Sequence, residues 1–303
     1  MKYILFSGSY NKPLAKKVAK ELGIDLGDIT IAKFSDGERR LKLNEKVAKK
    51  IVFVMQSVHD SANENHDSAL MEMLMIIRAC RDAKAKKIIA VMPYLGFARQ
   101  DRYFDGEPIT IKLIADMIKS AGAKKIIAMN IHSKAAFRAF KTKKERISAN
   151  PLLRKEIMKK NFENLVVVAP DKGALKYSKK IANKLGVNLV QAEKYRPEPN
   201  KTEIKMISGD VKGKTCALFD DIIDTAGTVC KNANALKAMG AKEIYVCVAH
   251  GVLSGSAIER IEKSEIVELV ITDSIVLPDE KKIDKIKVIT CSKVIADAIR
   301  ACI

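Results

Sequence analysis

Short apolar runs alternate with helical patterns along almost the whole chain, and this alternation is the feature that most limits its possible folds. The apolar runs lie near residues 2–6, 51–55, 87–92, 126–130, 165–169, 215–219, 243–249 and 266–271. Runs of this length suit buried strands and are too short for helices, while the segments between them repeat apolar residues at helical spacing. The sequence therefore predicts an α/β protein with two doubly wound parallel sheets.

One strand-to-helix joint, TCALFDDIIDTAGTVCK at residues 215–231, carries most of the polar chemistry. Residues 215–219 form the predicted strand, and Asp220 and Asp221 follow it. A tight loop comes next, and then a helical pattern that ends at about Gly240, a plausible helix stop. The segment is therefore predicted to fold as strand, loop and helix.

The loop of this joint suits a phosphate group. Small residues at Ala226 and Gly227 let backbone N–H groups approach a ligand, and the helix start adds unpaired N–H donors. Carboxylates beside a phosphate would repel it, so Asp220 and Asp221 suit sugar hydroxyls or Mg²⁺. A phosphorylated sugar meets both demands. The same residues also suit an acidic turn that threonine caps and glycine softens, with no ligand.

The segment DDIIDTAGT resembles the phosphoribosyl-diphosphate loop of the type I phosphoribosyltransferase fold. Phosphoribosyltransferases share that fold with ribose-phosphate diphosphokinases, which make their common substrate. The resemblance implies that Asp220 and Asp221 hold the hydroxyls of ribose 5-phosphate. It assigns the 5-phosphate to Asp224, Thr225, Ala226, Gly227 and Thr228.

Two motifs in the first half favour the diphosphokinase over the transferase. The segments FSDGE at 34–38 and RQDR at 99–102 resemble the ATP-contacting segments of the diphosphokinase family. An aromatic ring can stack on adenine, and an arginine fork can bind phosphate. Each segment alone would also suit a surface turn or a charged helix start. The resemblance assigns ATP to Phe34, Asp36, Glu38, Arg99, Gln100 and Asp101.

The resemblance also supplies metal-binding and catalytic residues. It implies that His132 and Asp171 contact Mg²⁺, and that Lys194 and Arg196 are catalytic cations on a mobile loop. The stretch 193–197 is polar and contains a proline, so it is not expected to form regular structure. The form Asp-Lys-Gly-Ala at 171–174 looks most like that of archaeal family members.

The implied reaction transfers the β,γ-diphosphoryl group of ATP to O1 of ribose 5-phosphate and releases AMP. A non-catalytic regulatory homologue with the same fold is the alternative. Two α/β halves of a 303-residue chain predict domains at 1–148 and 149–303, with the last helix packing on the first domain. By resemblance the chain is also expected to form a homo-oligomer, either a dimer or an assembly of dimers.

Charge and cysteine content limit the partners. The net charge of +19 comes from lysines that are spread along the chain, and no nucleic-acid motif accompanies them, so no nucleic acid is expected as a partner. No secretion signal or membrane span is visible. The six cysteines have no C-x-x-C pair, which predicts buried thiols and a cytoplasmic protein.

Overall fold

The computed structural model describes the backbone of residues 2–60, 65–198 and 201–303, and their side chains except those at 193–198 and 201–207. The chain forms two compact units. The first consists of Met1–Ala149, Asp273–Val276 and Thr290–Ile303, and the second of Asn150–Thr272 and Leu277–Ile289. The second half of the chain therefore contributes two segments to the first unit.

The helices and strands have the following bounds. In chain order they are β1 (Tyr3–Ser7), α1 (Lys12–Leu22), β2 (Ile29–Lys33), β3 (Arg39–Leu43), β4 (Ile51–Met55), α2 (His66–Asp82), β5 (Lys87–Met92), α3 (Thr110–Ala121), β6 (Lys125–Met129), α4 (Lys134–Ala139), β7 (Lys143–Ile147), α5 (Asn150–Met158), β8 (Leu165–Ala169), α6 (Leu175–Leu185), β9 (Asn188–Glu198), β10 (Lys201–Ser208), β11 (Thr215–Ile223), α7 (Gly227–Ala238), β12 (Glu243–Gly251), α8 (Ala257–Glu262), β13 (Ile266–Thr272), β14 (Ile286–Ile289) and α9 (Ser292–Arg300).

The first unit is built on a five-stranded parallel sheet with the order β1-β4-β5-β6-β7. Its inner strands are continuous apolar runs, in which Phe53, Ile89 and Ile127 are completely buried. Strands covered on both faces need apolar side chains on both, which explains why the strands could be predicted. The sequence did not reveal the edge strand β7, because its sequence KKERI is charged and mostly exposed.

The strands β2 and β3 form a separate antiparallel hairpin, in which Ile29 pairs with Leu43 and Lys33 with Arg39. A two-stranded hairpin has little stability of its own. Apolar side chains of the hairpin, including Ile31, pack against the core of the first unit. The residues 34–38 form the turn of this hairpin.

The second unit is built on a seven-stranded sheet with the order β10-β9-β8-β11-β12-β13-β14. All neighbouring pairs are parallel except β9 with β10. Its core contains Ala217, Val246 and Leu269 from the three strands β11, β12 and β13. Both units thus confirm the predicted fold class, doubly wound α/β with parallel sheets.

The expectation that residues 193–197 are irregular was wrong. β9 pairs in parallel with β8 as far as Gln191 and continues to Glu198 as the antiparallel partner of β10. A polar segment can extend as a strand when the following chain folds back and pairs with its backbone. The apolar pattern of the sequence carries no trace of such pairing.

The last helix and the segment before it belong to the first unit. α9 packs beside α1, and the guanidinium group of Arg300 donates a hydrogen bond to the carbonyl oxygen of Glu21. The buried side chain of Asn11 donates to the carbonyl oxygens of Asp273 at 2.9 Å and Ser274 at 3.0 Å. These hydrogen bonds hold the returning segment against the start of α1.

No helix in the part of the chain that the structure describes is long and apolar enough to cross a membrane. The six cysteines are free thiols, of which five are buried and Cys302 is partly exposed. Burial raises the pKa of the Cys80 and Cys216 thiols to about 12. These two thiols therefore stay protonated and unreactive at neutral pH.

Glu156 provides a test of the packing between α5 and β14. Its buried carboxylate is 2.7 Å from the Nζ atoms of both Lys159 and Lys287, and their hydrogen bonds lower the pKa of Glu156 from its ordinary value of 4.5. A lowered pKa in the folded state stabilises the protein above pH 4.5, and this contribution is lost as the pH falls through the folded pKa.

Glu156→Gln should therefore lower the melting temperature at pH 7, because two ammonium groups lose their charged partner. The difference from the wild type should shrink as the pH falls below about 4, where the wild-type carboxylate also becomes neutral. Calorimetric scans from pH 3 to 8 measure this. The exposed Glu163→Gln is the control, and a difference that stays constant with pH would contradict the account.

Candidate functional site

The strand that carries the two predicted carboxylates lies inside the sheet of the second unit. β11 pairs in parallel with β8 and with β12. The sequence predicts that this strand ends at Phe219, but it continues to Ile223, because β12 also continues and pairs Val248 with Asp220. Asp220 and Asp221 therefore belong to the last residues of the strand, at the carboxyl edge where open parallel sheets bind ligands.

The loop after β11 has the backbone of an anion site. Ala226 is the N-cap residue of α7 and has a left-handed φ of 59°. Its methyl group offers no acceptor to the first N–H groups of the helix, which are donors for an anion. A Cβ atom built on Gly227 would find Thr225 Oγ1 at 3.9 Å as its nearest neighbour. The space over Gly227 is thus large enough for a ligand atom.

The connection between β12 and α8 contacts this loop and supports it. Ser254, which follows β12, donates from its hydroxyl to Asp224 Oδ1 and from its backbone N–H to the Asp224 carbonyl oxygen at 3.2 Å. Arg260 of α8 donates to the carbonyl oxygen of Thr225 at 2.7 Å. The sequence did not indicate either residue. The only available signal was that residues 252–256 follow the neighbouring strand of a parallel sheet.

Tyr177 of α6 is a further residue that the sequence did not indicate. Its hydroxyl donates to Asn150 Oδ1 at 2.9 Å. Burial, together with the negative charges of Asp220 and Asp221, raises the pKa of Tyr177 well above its ordinary value of 10.0. A tyrosine that stays protonated beside two carboxylates adds a hydroxyl, and no charge, to this edge of the sheet.

Asp171 lies in the loop between β8 and α6. Its Oδ1 accepts the backbone N–H of Ala174 at 2.9 Å, and a Cβ atom on Gly173 would lie 3.2 Å from the same oxygen. β8 is a direct neighbour of β11, with Val167 beside Ala217. Because parallel strands end at one edge, the Asp171 loop and the residues after β11 emerge at the same edge of the second unit.

In the first unit, Phe34, Asp36 and Glu38 lie on the hairpin turn. The backbone N–H of Phe34 donates to the Glu38 carbonyl oxygen at 2.8 Å, and Glu38 N–H donates to Asp36 Oδ1 at 3.0 Å. The ring of Phe34 is 50% exposed, and the guanidinium carbon of Arg40 lies 5.8 Å from its centroid. An exposed ring with a cation on one face suits stacking of a planar base.

The second motif lies after β5. Gln100 accepts the Thr110 hydroxyl, and Asp101 accepts the hydroxyl of Ser133, the residue directly after His132. Arg99 and His132 are exposed. The structure thus brings the residues next to His132 into contact with Asp101, at the carboxyl ends of β5 and β6, which are neighbours.

The described part of the chain shows no joint site for the two predicted catalytic residues or for the two predicted metal ligands. Lys194 and Arg196 lie within β9, and their side chains are outside the described part of the chain. His132 belongs to the first unit and Asp171 to the second. Among the described residues, no group of three His, Cys, Asp or Glu side chains is placed to hold a metal ion.

Two parallel sheets with helices, and a phosphate-type loop at a sheet edge, define the type I phosphoribosyltransferase fold. Comparison with known proteins shows which family of this fold the chain matches. Residues 3–122 match the family model of the N-terminal domain of ribose phosphate pyrophosphokinase, and residues 198–303 match the phosphoribosyl synthetase-associated domain. One match lies in each half of the chain, and residues 123–197 lie between the two matched segments.

Individual relatives agree with the family models. The ribose-phosphate pyrophosphokinase of Fusobacterium nucleatum is 43% identical over 298 residues, which are 97% of this chain and 93% of that protein. The enzyme of the same name from Caldanaerobacter subterraneus is 45% identical over 297 residues, with the same coverage. Phosphoribosylpyrophosphate synthetase from Mycobacterium smegmatis matches with a TM-score of 0.91 at 33% identity, over 100% of this chain and 99% of that one.

This chain belongs to the ribose-phosphate pyrophosphokinase family, which is a family of enzymes. The resemblance to that family, also called ribose-phosphate diphosphokinase, is thereby confirmed. All three relatives are bacterial, so the likeness of Asp-Lys-Gly-Ala to archaeal members stays a prediction.

The left-handed residue of the phosphate-type loop can be tested by substitution. Ala226→Val should destabilise the protein by about 1–3 kcal/mol, because a β-branched side chain fits poorly at positive φ and Ala226 is only 5% exposed. Ala226→Gly should be much less destabilising. Urea unfolding of both variants measures the two effects, and equal losses would contradict the assigned backbone conformation.

Proposed function

We propose that this chain transfers the β,γ-diphosphoryl group of ATP to O1 of ribose 5-phosphate, giving 5-phospho-α-D-ribose 1-diphosphate and AMP. The observation that carries this proposal is the loop after β11. Within a family of pyrophosphokinases, it combines two carboxylates at a sheet edge with a helix N-terminus behind a left-handed alanine. A sugar phosphate needs both kinds of group in one place.

We assign the two ends of ribose 5-phosphate to different parts of this loop. The 5-phosphate accepts hydrogen bonds from the N–H groups at the start of α7 and from the hydroxyls of Thr225 and Thr228. The carboxylates of Asp220 and Asp221 accept hydrogen bonds from the ribose hydroxyls. The contacts of Ser254 with Asp224 support this division, because they hold the loop at Asp224, ahead of the N–H groups at the start of α7.

We assign the nucleotide to the two motifs of the first unit. The exposed ring of Phe34 stacks on adenine, while Asp36 and Glu38 accept hydrogen bonds from the base and its sugar. The fork of Arg99 binds phosphate oxygens, and Gln100 and Asp101 contribute polar contacts. The hydrogen bond between Ser133 and Asp101 supports a shared site with His132.

In the proposed reaction, the O1 hydroxyl of the sugar loses its proton to solvent as O1 attacks the β-phosphorus of ATP in line. The bond from the β-phosphorus to the bridging oxygen breaks, and AMP leaves with the bonding electrons. The protein contributes position and cations and forms no covalent bond. We assign Lys194 and Arg196 to the charge that develops on the transferred group and on the leaving AMP. A cation that meets this charge only in the transition state raises turnover.

The proposed cofactor is Mg²⁺. The donor set of the second unit fits it, because Mg²⁺ prefers oxygen ligands and is commonly held by one or two carboxylates together with substrate phosphates. Asp171 is half-buried in the loop after β8, the strand that pairs with the strand of Asp220 and Asp221, and we assign it to the metal. His132 is assigned to the magnesium–nucleotide complex. When bound, Mg²⁺ supplies positive charge that offsets the charge of the phosphates.

We also propose that the protein works in the cytoplasm as a homo-oligomer, a dimer or an assembly of dimers. The six free thiols support a reducing compartment. The family resemblance supports the oligomer.

A direct assay tests the proposed function. Purified protein with Mg²⁺, ATP and ribose 5-phosphate should form AMP and a sugar product whose mass equals that of ribose 5-phosphate plus a diphosphoryl group. Both should appear only when both substrates are present, and in equal amounts. ADP in place of AMP, or AMP without ribose 5-phosphate, would contradict the proposed reaction.

Lys194→Ala should reduce turnover by orders of magnitude, because the transition state loses a cation. Binding of ribose 5-phosphate, measured by calorimetry, should be largely kept. Lys184→Ala, which changes an exposed lysine of α6, is the matched control. Near-normal turnover of Lys194→Ala would remove Lys194 from the catalytic residues.

A further inference from the structure

A buried ion pair joins the turn of the β2–β3 hairpin to the core of the first unit. Arg39 directly follows Glu38 and is the first residue of β3. Its Nη1 donates to Oε2 of Glu72 in α2. The side chain of Glu72 is completely buried, and that of Arg39 is 11% exposed. The charged contact is therefore shielded from water, and it is adjacent in sequence to the segment 34–38.

The ends of two core strands hold Glu72 in place. Its carboxylate accepts the backbone N–H of Ser9 at 2.6 Å, the Ser9 hydroxyl at 2.7 Å and Nε2 of Gln56 at 2.9 Å. Ser9 lies just after β1 and Gln56 directly after β4, and these strands are parallel neighbours. The acceptor for Arg39 is thus part of the carboxyl edge of the five-stranded sheet.

Tyr10 holds the other side of the guanidinium group. Nη2 of Arg39 donates to the Tyr10 hydroxyl at 3.2 Å, and the guanidinium carbon lies 5.8 Å from the centroid of the ring. A guanidinium group is planar with donors in a rigid fork, so contacts to Glu72 and Tyr10 together define its orientation. These contacts anchor the first residue of β3, which directly follows Glu38, to the core of the first unit.

The ion pair suits a role in geometry better than one in stability. Apolar residues of similar volume would often stabilise a core as well as a buried ion pair does, or better. They would not, however, select one orientation of the hairpin. The turn itself is closed by its own hydrogen bonds from Phe34 N–H to the Glu38 carbonyl oxygen and from Gly37 N–H to the Phe34 carbonyl oxygen. A displaced Arg39 would therefore move the whole turn.

We propose that Arg39 is a positioning residue for the nucleotide: through Glu72 and Tyr10 it orients the segment 34–38, and so it controls ATP affinity without touching ATP. This role rests on the proposed function, which assigns Phe34, Asp36 and Glu38 to the nucleotide. It concerns the nucleotide alone, because the ribose 5-phosphate loop belongs to the second unit.

The test uses a single and a double substitution. Arg39→Met leaves the Glu72 carboxylate buried without its guanidinium partner, which lowers stability. The double variant Arg39→Met with Glu72→Gln removes both charges, and its glutamine can still accept hydrogen bonds from Ser9. We expect the double variant to regain most of the melting temperature that the single variant loses.

The kinetic signature separates positioning from general damage. In the double variant the KM for ATP should rise about tenfold or more, because the loss of one well-placed contact is worth about a factor of ten. The KM for ribose 5-phosphate should stay within about twofold of the wild-type value. Arg39→Lys should lie between wild type and Arg39→Met. Arg78→Met, which changes an exposed arginine nearer the C-terminal end of α2, is the control and should leave both KM values unchanged.

A wild-type KM for ATP in the double variant would overturn the positioning role, and so would equal increases in both KM values. Calorimetric titration with ATP and Mg²⁺, without ribose 5-phosphate, gives a second readout that needs no turnover. Its Kd should rise by the same factor as the KM. A wild type that forms no AMP would overturn the proposed function itself, whereas an active wild type with unaffected variants would overturn only the role of Arg39.

Discussion

The parallel pairing of β11 with β8 and β12 is the constraint on which the candidate site of the second unit depends. Parallel strands end at one edge, so the segments that follow these three strands must emerge together. Asp171, Asp224 and Ser254 lie in those segments, although they are far apart in sequence. Burial of apolar side chains from β11 on both faces keeps this pairing in register.

The distribution of charged and donor groups at this sheet edge also follows from the position of β11 and the helix after it. The carboxylates of Asp220 and Asp221 lie in the strand, and the N–H donors lie beyond them at the start of α7. In the proposed binding mode, the phosphate and the sugar hydroxyls would therefore have separate partners within one short segment. The net charge of +19 adds a general attraction for polyanionic substrates, which speeds their encounter with the protein.

The sequence predicted those features that depend on local pattern. The buried strands follow from runs of apolar residues, and the loop at 224–228 follows from small residues between a strand and a helix. The edge strand β7 and the antiparallel pair β9–β10 were not predicted, because partner strands rather than apolar runs define them. The extension of β11 beyond Phe219 has the same origin, since β12 provides the backbone partner.

Contacts between distant residues explain what the sequence did not reveal about the sites. The hydrogen bond from Ser254 to Asp224, the proximity of Tyr177 to Asp220, and the ion pair of Arg39 with Glu72 each join separate elements. A serine or an arginine at those positions looks like any other polar residue until the fold brings its partner near. The motif residues themselves were recognisable because the whole motif is contiguous.

Isotopic labels on ATP distinguish transfer of an intact diphosphoryl group from transfer of a single phosphoryl group. ATP labelled with radioactive phosphorus at the β-position, and separately at the γ-position, would be incubated with the protein, Mg²⁺ and ribose 5-phosphate. We expect both labels to enter the sugar product in equal yield and AMP to carry neither. A sugar product labelled from the γ-position alone would show single phosphoryl transfer and contradict the proposed reaction.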